Sequence, residues 1–429
     1  MLSRIEGWNY RALRYVSQRV SRFQTLVGPN GSGKSTFLDV VGFLGDMLRV
    51  GPLRAIRGEG ESVPQRAVDP MHLCWMRQGG AFELAVELEI PAERLEKLGN
   101  GKSKRARYEA RIEVGDRSGQ VTLAIETLWL IPILDEPPQA RTLFPMLAED
   151  PPDGIVRRPG KHTPQGWKKI VSKNADAGTD SFHSETVGSN WKTHFRLGPT
   201  KSALANLPED EEKFPVATWA KRVLMEGVRR VALNAEAMRR PSPPGSPVHF
   251  LPDGSNLPWV VHELQSKNTV RFREWIEHFQ TAIPDLKTVT TVERPEDRHR
   301  YIVVEYANGL KAPSWVVSDG TLRMLALTLL AYIDGVEGVN LIEEPENGIH
   351  PRAVETVYQS LSSVYGAQVL CASHSPVVLG LASAADLLCF AKEPSTGATD
   401  IVRGDDHPRL RNWKGTLDLG SLFATGVLG

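Results

Sequence analysis

Apolar and polar positions alternate most regularly between residues 82 and 131. Phe82, Leu84, Val86, Leu88 and Ile90 share one parity, while Glu83, Glu87 and Glu89 share the other. This is the two-residue period of a half-buried strand. Residues 108–114 repeat it with Glu109, Arg111 and Glu113 on the outer parity, and residues 121–131 supply a third strand. A half-exposed antiparallel sheet is expected here. Residues 2–27 read as two strands around a turn, ending in the buried run Phe23-Gln24-Thr25-Leu26-Val27. Phe37-Leu38-Asp39-Val40-Val41 then opens a helix whose apolar stripe continues through Phe43, Leu44, Met47 and Leu48 and stops near Gly51-Pro52.

Residues 132–210 lose this regularity. Pro, Gly, Lys, Ser and Asp dominate, with isolated aromatics at Trp167, Phe182, Trp191 and Phe195. An insertion of short strands and loops is expected. A helix is predicted over 215–234, carrying Trp219, Val223 and Val228 and ending before Pro241-Ser242-Pro243-Pro244-Gly245. Further helices are predicted over 257–264 and 270–282, and a strand over 301–306. The last third is the most legible. Leu322, Leu325, Ala326, Leu329, Leu330 and Ile333 form one helix face, and Val354, Val357, Tyr358, Leu361 and Val364 the next. Buried strands at 339–342, 367–372 and 386–391 alternate with these helices. That order predicts an α/β fold with a mostly parallel core sheet. No period of 20 to 50 residues repeats, and no heptad run is long enough for a coiled-coil arm.

Composition adds limits. The chain has 429 residues, 41% of them hydrophobic, enough for a sizeable core. Lys+Arg and Asp+Glu both number 51, so a nucleic-acid surface would have to be a local patch. Cys74, Cys371 and Cys389 have no paired spacing, which suits a reducing, cytoplasmic setting. The opening Met1-Leu2-Ser3-Arg4-Ile5-Glu6-Gly7 has no apolar core of a signal peptide. No apolar run reaches the roughly eighteen residues of a membrane span.

The candidate chemistry centres on Gly28-Pro29-Asn30-Gly31-Ser32-Gly33-Lys34-Ser35-Thr36. Gly, four residues, then Gly-Lys-Ser/Thr is the phosphate-binding loop pattern. Its backbone N–H groups curl around phosphates, Lys34 adds a point charge, and the Ser35 hydroxyl is placed for Mg²⁺. A strand before it and a helix after it complete the context. Three further segments follow. Val317-Ser318-Asp319-Gly320-Thr321 opens a helix, either as an anion site or as a plain N-cap. Asn340-Leu341-Ile342-Glu343-Glu344-Pro345-Glu346 puts two carboxylates at a strand end, one for Mg²⁺ and one for the attacking water, unless both are merely solvated. Cys371-Ala372-Ser373-His374-Ser375-Pro376 puts a histidine at the end of the following strand. All four lie where open α/β sheets bind ligands.

This order of segments resembles the ABC-type ATPases, within them the RecF/SMC/OLD-like group, and most closely the prokaryotic AAA_21 (AAA15-type) ATPases. Ser318-Asp319-Gly320-Thr321 resembles the signature motif, Leu341-Ile342-Glu343-Glu344-Pro345 Walker B, and His374 the switch histidine. Trp8-Asn9-Tyr10-Arg11-Ala12-Leu13 resembles the opening motif of the group. The resemblance implies a P-loop NTPase head with an antiparallel β lobe and an inserted segment. Its expected parts are 1–131, the insertion 132–210, a helical linking part 211–310, and 311–429 with the signature, Walker B and switch histidine. It implies ATP and Mg²⁺ as cofactors, with two heads sandwiching two ATP molecules. Asn30, Gly31, Gly33, Lys34, Ser35 and Thr36 would bind one nucleotide, and Ser318 and Gly320 would reach the nucleotide of the other head. Ser35 and Glu343, with Gln78 as the γ-phosphate sensor, would serve the metal. Glu344, His374 and Lys34 would be catalytic.

Two departures matter. Glu343 stands where an Asp is usual, so slow hydrolysis is expected. No TOPRIM nuclease domain is expected in the residues after His374. A genome-maintenance or anti-phage role is implied, beside a separate nuclease or toxin effector. Lys102, Lys104, Arg105 and Arg107, and Arg157, Arg158, Lys168 and Lys169, are candidate DNA contacts. A motor or sensor acting on DNA and a nucleotide-gated scaffold for an effector both remain open. A transporter subunit does not fit the opening motif.

Overall fold

The computed structural model describes residues 1–410 apart from 61–62, 99–102, 116–118, 134–140, 147–149, 158–162, 177, 187–190 and 334–336, together with Leu419. Lys102 and Arg158 therefore lie outside the described residues. The chain begins with β1 (Leu2–Tyr10), β2 (Leu13–Arg19) and β3 (Phe23–Val27), followed by α1 (Lys34–Val50) and α2 (Pro52–Arg57). Next come β4 (Ala81–Glu89), α3 (Ala92–Leu98), β5 (Arg105–Val114) and β6 (Val121–Ile131). The stretch rich in loops holds β7 (Lys168–Asn174), β8 (Thr179–His183) and β9 (Lys192–Phe195). After it run α4 (Pro215–Glu226), β10 (Val228–Val231), α5 (Ala235–Arg239), α6 (Leu257–Lys267) and α7 (Thr269–Ala282). The remainder is β11 (Leu286–Glu293), β12 (Arg300–Tyr306), β13 (Lys311–Pro313), α8 (Asp319–Leu329), β14 (Val339–Glu343), α9 (Pro351–Ser362), β15 (Gln368–Ala372), α10 (Pro376–Leu381), β16 (Leu387–Lys392) and β17 (Thr399–Arg403).

The core sheet has the order β10-β14-β15-β3-β16-β17. Every pairing in it is parallel except β16 with β17. Its strands bury both faces. Leu341, Leu370 and Phe390 join a core shared with α1, α2 and α4, while Ile342, Cys371 and Cys389 join a second core under α6 to α9. That explains the continuous apolar runs there, since a parallel sheet covered on both sides has no polar face. Among the described residues no helix is long and apolar enough to cross a membrane.

The antiparallel sheet is larger and less exposed than its alternation predicts. It has eight strands, β2-β1-β4-β5-β6-β7-β8-β9. Its polar face is buried as well. Glu83 and Glu109 have no exposed surface. Arg111 pairs with Glu83 at 2.7 Å, and Arg107 pairs with Glu6, with Glu87 at 3.3 Å and with Glu109 at 3.0 Å. Residues 151–157 lie over these carboxylates. Ile155 and Val156 donate backbone N–H groups to Glu83 at 2.6 and 2.8 Å, and Arg157 donates its own to Glu109 at 3.1 Å. Charges face each other across the strands, so the alternation marks a paired network and not a solvated surface.

One helix prediction is corrected. The helix expected over 215–234 ends at Glu226, and Val228–Val231 is a strand parallel to Val339–Ile342. Gly227 allows the break: a Cβ there would lie 2.7 Å from the carbonyl of Val223 and 3.2 Å from Gly338. The β-branched residues beyond it then find strand partners, which outweighs their helical spacing.

Candidate active site

Strands β3, β14 and β15 end level with one another. Glu343 is in register with Ala372, Ala372 with Leu26, and Ser373 donates its N–H to Leu26 at 3.0 Å. The loops leaving these strands therefore meet at one edge.

From β3 the chain enters the phosphate loop. Gly28 is required by packing, because a Cβ would lie 2.2 Å from the carbonyl oxygen of Phe390. Gly33 has φ +101 and precedes α1, and a Cβ there would meet Thr399 Oγ1 at 2.1 Å. Asn30, Gly31 and Ser35 are exposed at the crown, with Thr36 half-buried behind them. The Lys34 ammonium folds back onto the loop, donating to the carbonyls of Gly28 at 2.7 Å and Pro29 at 3.1 Å. Burial lowers its pKa, and the charges of Glu344 and Glu343 offset part of that.

The β14 loop brings both carboxylates to this loop. Ser35 Oγ donates to Glu343 Oε2 at 2.5 Å. Two hard oxygen donors beside a lysine suit Mg²⁺, which takes few protein oxygens and leaves the rest to water and phosphate. Among the described residues, no cluster of three or more His, Cys, Asp or Glu could cage a metal alone. Glu344 has φ +49, a left-handed conformation unusual for a non-glycine residue. Its N–H is held by the Ala372 carbonyl at 2.7 Å. His374 Nδ1 lies 3.3 Å from Glu344 Oε1, and Asn347 donates to Glu344 Oε2.

Lys34, Ser35, Glu343, Glu344 and His374 thus come together within one chain. Gln78 does not join them. It is exposed, and its described bonds are backbone ones: its N–H donates to the Trp75 carbonyl at 3.0 Å and its carbonyl accepts from Asn9 Nδ2 at 3.0 Å. Ser318 and Gly320 also make no described contact with the phosphate loop. Ser318 caps α8 by accepting from Thr321 N–H at 3.3 Å. A Cβ at Gly320 would lie 2.4 Å from the Gly348 carbonyl oxygen, so the start of α8 packs directly on the loop after β14. Arg239 steadies it, pairing with Asp319 at 2.5 Å.

Sequence reasoning missed three members of this edge. Asn347 orients Glu344, and Ser373 Oγ bonds Glu346 at 2.6 Å, tying the β14 loop to the histidine loop. Thr399 supports the phosphate loop by donating to the Ser32 carbonyl at 2.9 Å. The first two stand within three residues of Glu344 and His374, where spacing alone could have raised them. Thr399 carries no such signal.

A phosphate loop at the end of a parallel strand, flanked by an antiparallel sheet and by an acidic strand end, defines a P-loop nucleotide-binding head of the ABC/SMC type. One solved structure supports the fold. The crystal structure of the Smc head bound to the C-winged helix domain of ScpA is similar with a TM-score of 0.51 and 12% identity, over 94% of this chain and 96% of that one. The SMC head domain from Thermotoga maritima aligns at 11% identity over 94% of this chain and 98% of that one, with a TM-score of 0.41. Residues 24–380 match the AAA_21 family, described as "AAA domain, putative AbiEii toxin, Type IV TA system", and the chain belongs to that family. No curated protein matches the sequence.

Proposed function

We propose that this protein binds and hydrolyses ATP as a paired head, using hydrolysis to open a nucleotide-held dimer. The observation that carries the reading is the convergence of Ser35, Glu343, Glu344 and His374 on Lys34 at one sheet edge. Lys34 would exchange the Gly28 and Pro29 carbonyls for the β- and γ-phosphates. Ser35 and Glu343 would hold Mg²⁺, which supplies charge neutralisation at the phosphates. Glu344, fixed by its backbone bond to Ala372 and by Asn347, would orient and deprotonate the attacking water. His374 would donate to the γ-phosphate while its other contact keeps Glu344 in place. Catalysis of this kind is positioning and electrostatics. Ser318 and Gly320 would complete the site on the facing subunit, which fits their separation from the phosphate loop of their own chain. Gln78 would join only on closure.

The setting we favour is a toxin or nuclease partner in defence, in keeping with the family's description. Of the two outputs, a nucleotide-gated scaffold has a specific observation in its favour. Most of the described basic residues suggested for DNA are engaged internally, though Lys104 and Arg157 are exposed. Arg107 is buried among Glu6, Glu87 and Glu109, and Arg105 pairs with Glu87 at 3.3 Å. Lys168 donates to the Glu185 carbonyl at 2.8 Å, and Lys169 and Arg157 lie over Trp129 and Trp167. Phosphate release and particle mass, measured with ATP and with or without DNA, test both parts. ATP-dependent dimers with turnover indifferent to DNA support the scaffold; DNA-stimulated turnover favours the DNA machine. A protein that neither binds ATP nor changes mass refutes the reading.

A further inference from the structure

The phosphate loop is packed from one side by the hairpin of β16 and β17, and each of its three glycines meets a residue of that hairpin. Gly28 meets the Phe390 carbonyl, and Gly33 meets Thr399. Gly31 meets Lys392: a Cβ on Gly31 would lie 3.1 Å from Lys392 Nζ and 3.6 Å from its Cε. Lys392 is in register with Thr399 across the hairpin, and Thr399 donates its hydroxyl to the Ser32 carbonyl at 2.9 Å. The hairpin is thus fastened to the loop. Side chains alternate along a strand, so Lys392 shares a face of β16 with Leu388 and Phe390, which belong to the core around α1. Phe390 meets Phe37 of α1 edge to face, with ring centres 5.6 Å apart. One step beyond that buried pair, the same face carries the lysine out of the core to the exposed crown of Asn30 and Gly31.

Lys392 has no counter-charge at this position. It is exposed, and among the described residues its side chain makes no ion pair and no hydrogen bond. The two carboxylates of the hairpin are taken up elsewhere. Glu393 lies on the opposite parity and accepts from Ser395 N–H at 2.9 Å and Oγ at 2.7 Å, and from Thr396 N–H and Oγ1, both at 2.7 Å. Asp400 accepts from Arg141 at 2.6 Å and from the Met146 N–H at 3.0 Å. An unpartnered ammonium beside backbone N–H groups arranged to hold phosphates adds to the positive field of the loop.

We propose that Lys392 is a second phosphate-binding lysine of this nucleotide site. It reaches the phosphate chain of ATP from across the crown, while Lys34 reaches it from within the loop. Gly31 leaves the room that the stem of Lys392 needs. The ammonium is a point charge with rotatable donors on a flexible stem, so it follows a phosphate through a range of positions and fixes no single geometry. The inference rests on nucleotide binding at the phosphate loop, and on neither hydrolysis nor pairing of heads.

Calorimetric titration of the full chain with Mg²⁺ and a non-hydrolysable ATP analogue tests it, with the charge at residue 392 as the variable. Lys392→Met keeps the stem and removes the charge. It should weaken binding by about tenfold or more, through loss of one charge-assisted contact. Lys392→Arg should stay within about threefold of the wild type, and Lys392→Glu should bind more weakly than Lys392→Met. The gap between wild type and Lys392→Met should shrink in about 1 M salt, where an exposed charge is screened within a few ångströms. All three variants should melt like the wild type without nucleotide, because the side chain is exposed and unpaired. Equal binding by Lys392→Met and wild type overturns the proposal and leaves ATP binding by the loop intact. An equal loss in Lys392→Arg and Lys392→Met also overturns it, by assigning the effect to shape. A wild-type chain that takes up no analogue overturns it together with the reading on which it rests.

Discussion

The outer face of the eight-stranded sheet and the edge around Lys34 both set carboxylates beside cations, under opposite constraints. On the sheet, Glu83, Glu109 and Arg107 are buried, and each has protein partners at close range. Such a network contributes little net stability over an apolar packing, yet removing one member is costly because a buried charge is left behind. At the loop edge Ser35, Glu343 and His374 are exposed, Glu344 is half-exposed, and among the described residues the Lys34 ammonium bonds only to its own loop carbonyls. Charge with no fixed counter-charge is available to a ligand. Count of charges separates these regions poorly; what separates them is whether each charge already has its partner.

Four substitutions sharpen that contrast. The largest effect is expected at the loop edge: Glu344→Gln should lower phosphate release by about 100-fold or more while ATP still binds and dimers accumulate. Turnover at the wild-type rate would remove Glu344 from the chemistry. On the sheet, Arg107→Ala should leave turnover chemistry untouched per folded molecule but cost about 3–5 kcal/mol in denaturant unfolding. A loss under about 1 kcal/mol would mean that the network is solvated after all.

Between the two lies Asp39 on α1, which accepts from Tyr10 at 2.7 Å, Arg66 at 2.8 Å, Arg11 at 3.2 Å and Arg230 at 2.5 Å. Burial works to raise its pKa, but Arg66, then Arg230, the Tyr10 hydroxyl and Arg11 outweigh it and hold the carboxyl below its ordinary value. A depressed carboxyl stabilises the fold above the unfolded pKa and loses that contribution as pH falls through the folded one. Asp39→Asn should therefore cost about 2 kcal/mol at neutral pH. The gap from wild type should narrow only below the ordinary Asp value of 3.8. A gap that is flat with pH would assign the effect to shape instead of charge. The smallest effect is expected at Ser318→Ala, about 1 kcal/mol for a lost helix cap. ATP-dependent dimerisation should fall with it, and its persistence would leave Ser318 as a cap alone.

The legible parts of this fold were those where one period served one purpose. Strands β14, β15 and β16 are buried on both sides, so their apolar runs could be read without knowing their neighbours. The phosphate loop was legible because backbone geometry dictates its glycines. The alternation of β4 and β5 misled because a polar parity says only that the face is not apolar. Glu83 is in register with Arg111, and Glu87 with Arg107, and those cross-strand pairs are invisible until the register is known. The break at Gly227 was hidden because a lone glycine does not by itself end a helix, and the strand beyond it is defined by its pairing with Val339–Ile342. Thr399 and Lys392 depend on contacts between residues far apart in sequence, which no local pattern encodes.

The position of β3 has a consequence for how the protein is made. Residues 23–27 lie between 368–372 and 387–392 in the core sheet, and Gln368 clasps Leu2, accepting from its N–H at 2.9 Å and donating to its carbonyl at 3.0 Å. The strand that launches the phosphate loop therefore has no neighbour in the sheet until the ribosome has passed residue 372, and lacks the second until it has passed 392. A nascent chain carries the nucleotide motif from its earliest residues but cannot shape it, so competence for ATP arrives in one late step. An incomplete copy would then be unable to occupy a nucleotide or to pair with a finished one, and translation itself becomes a checkpoint on assembly.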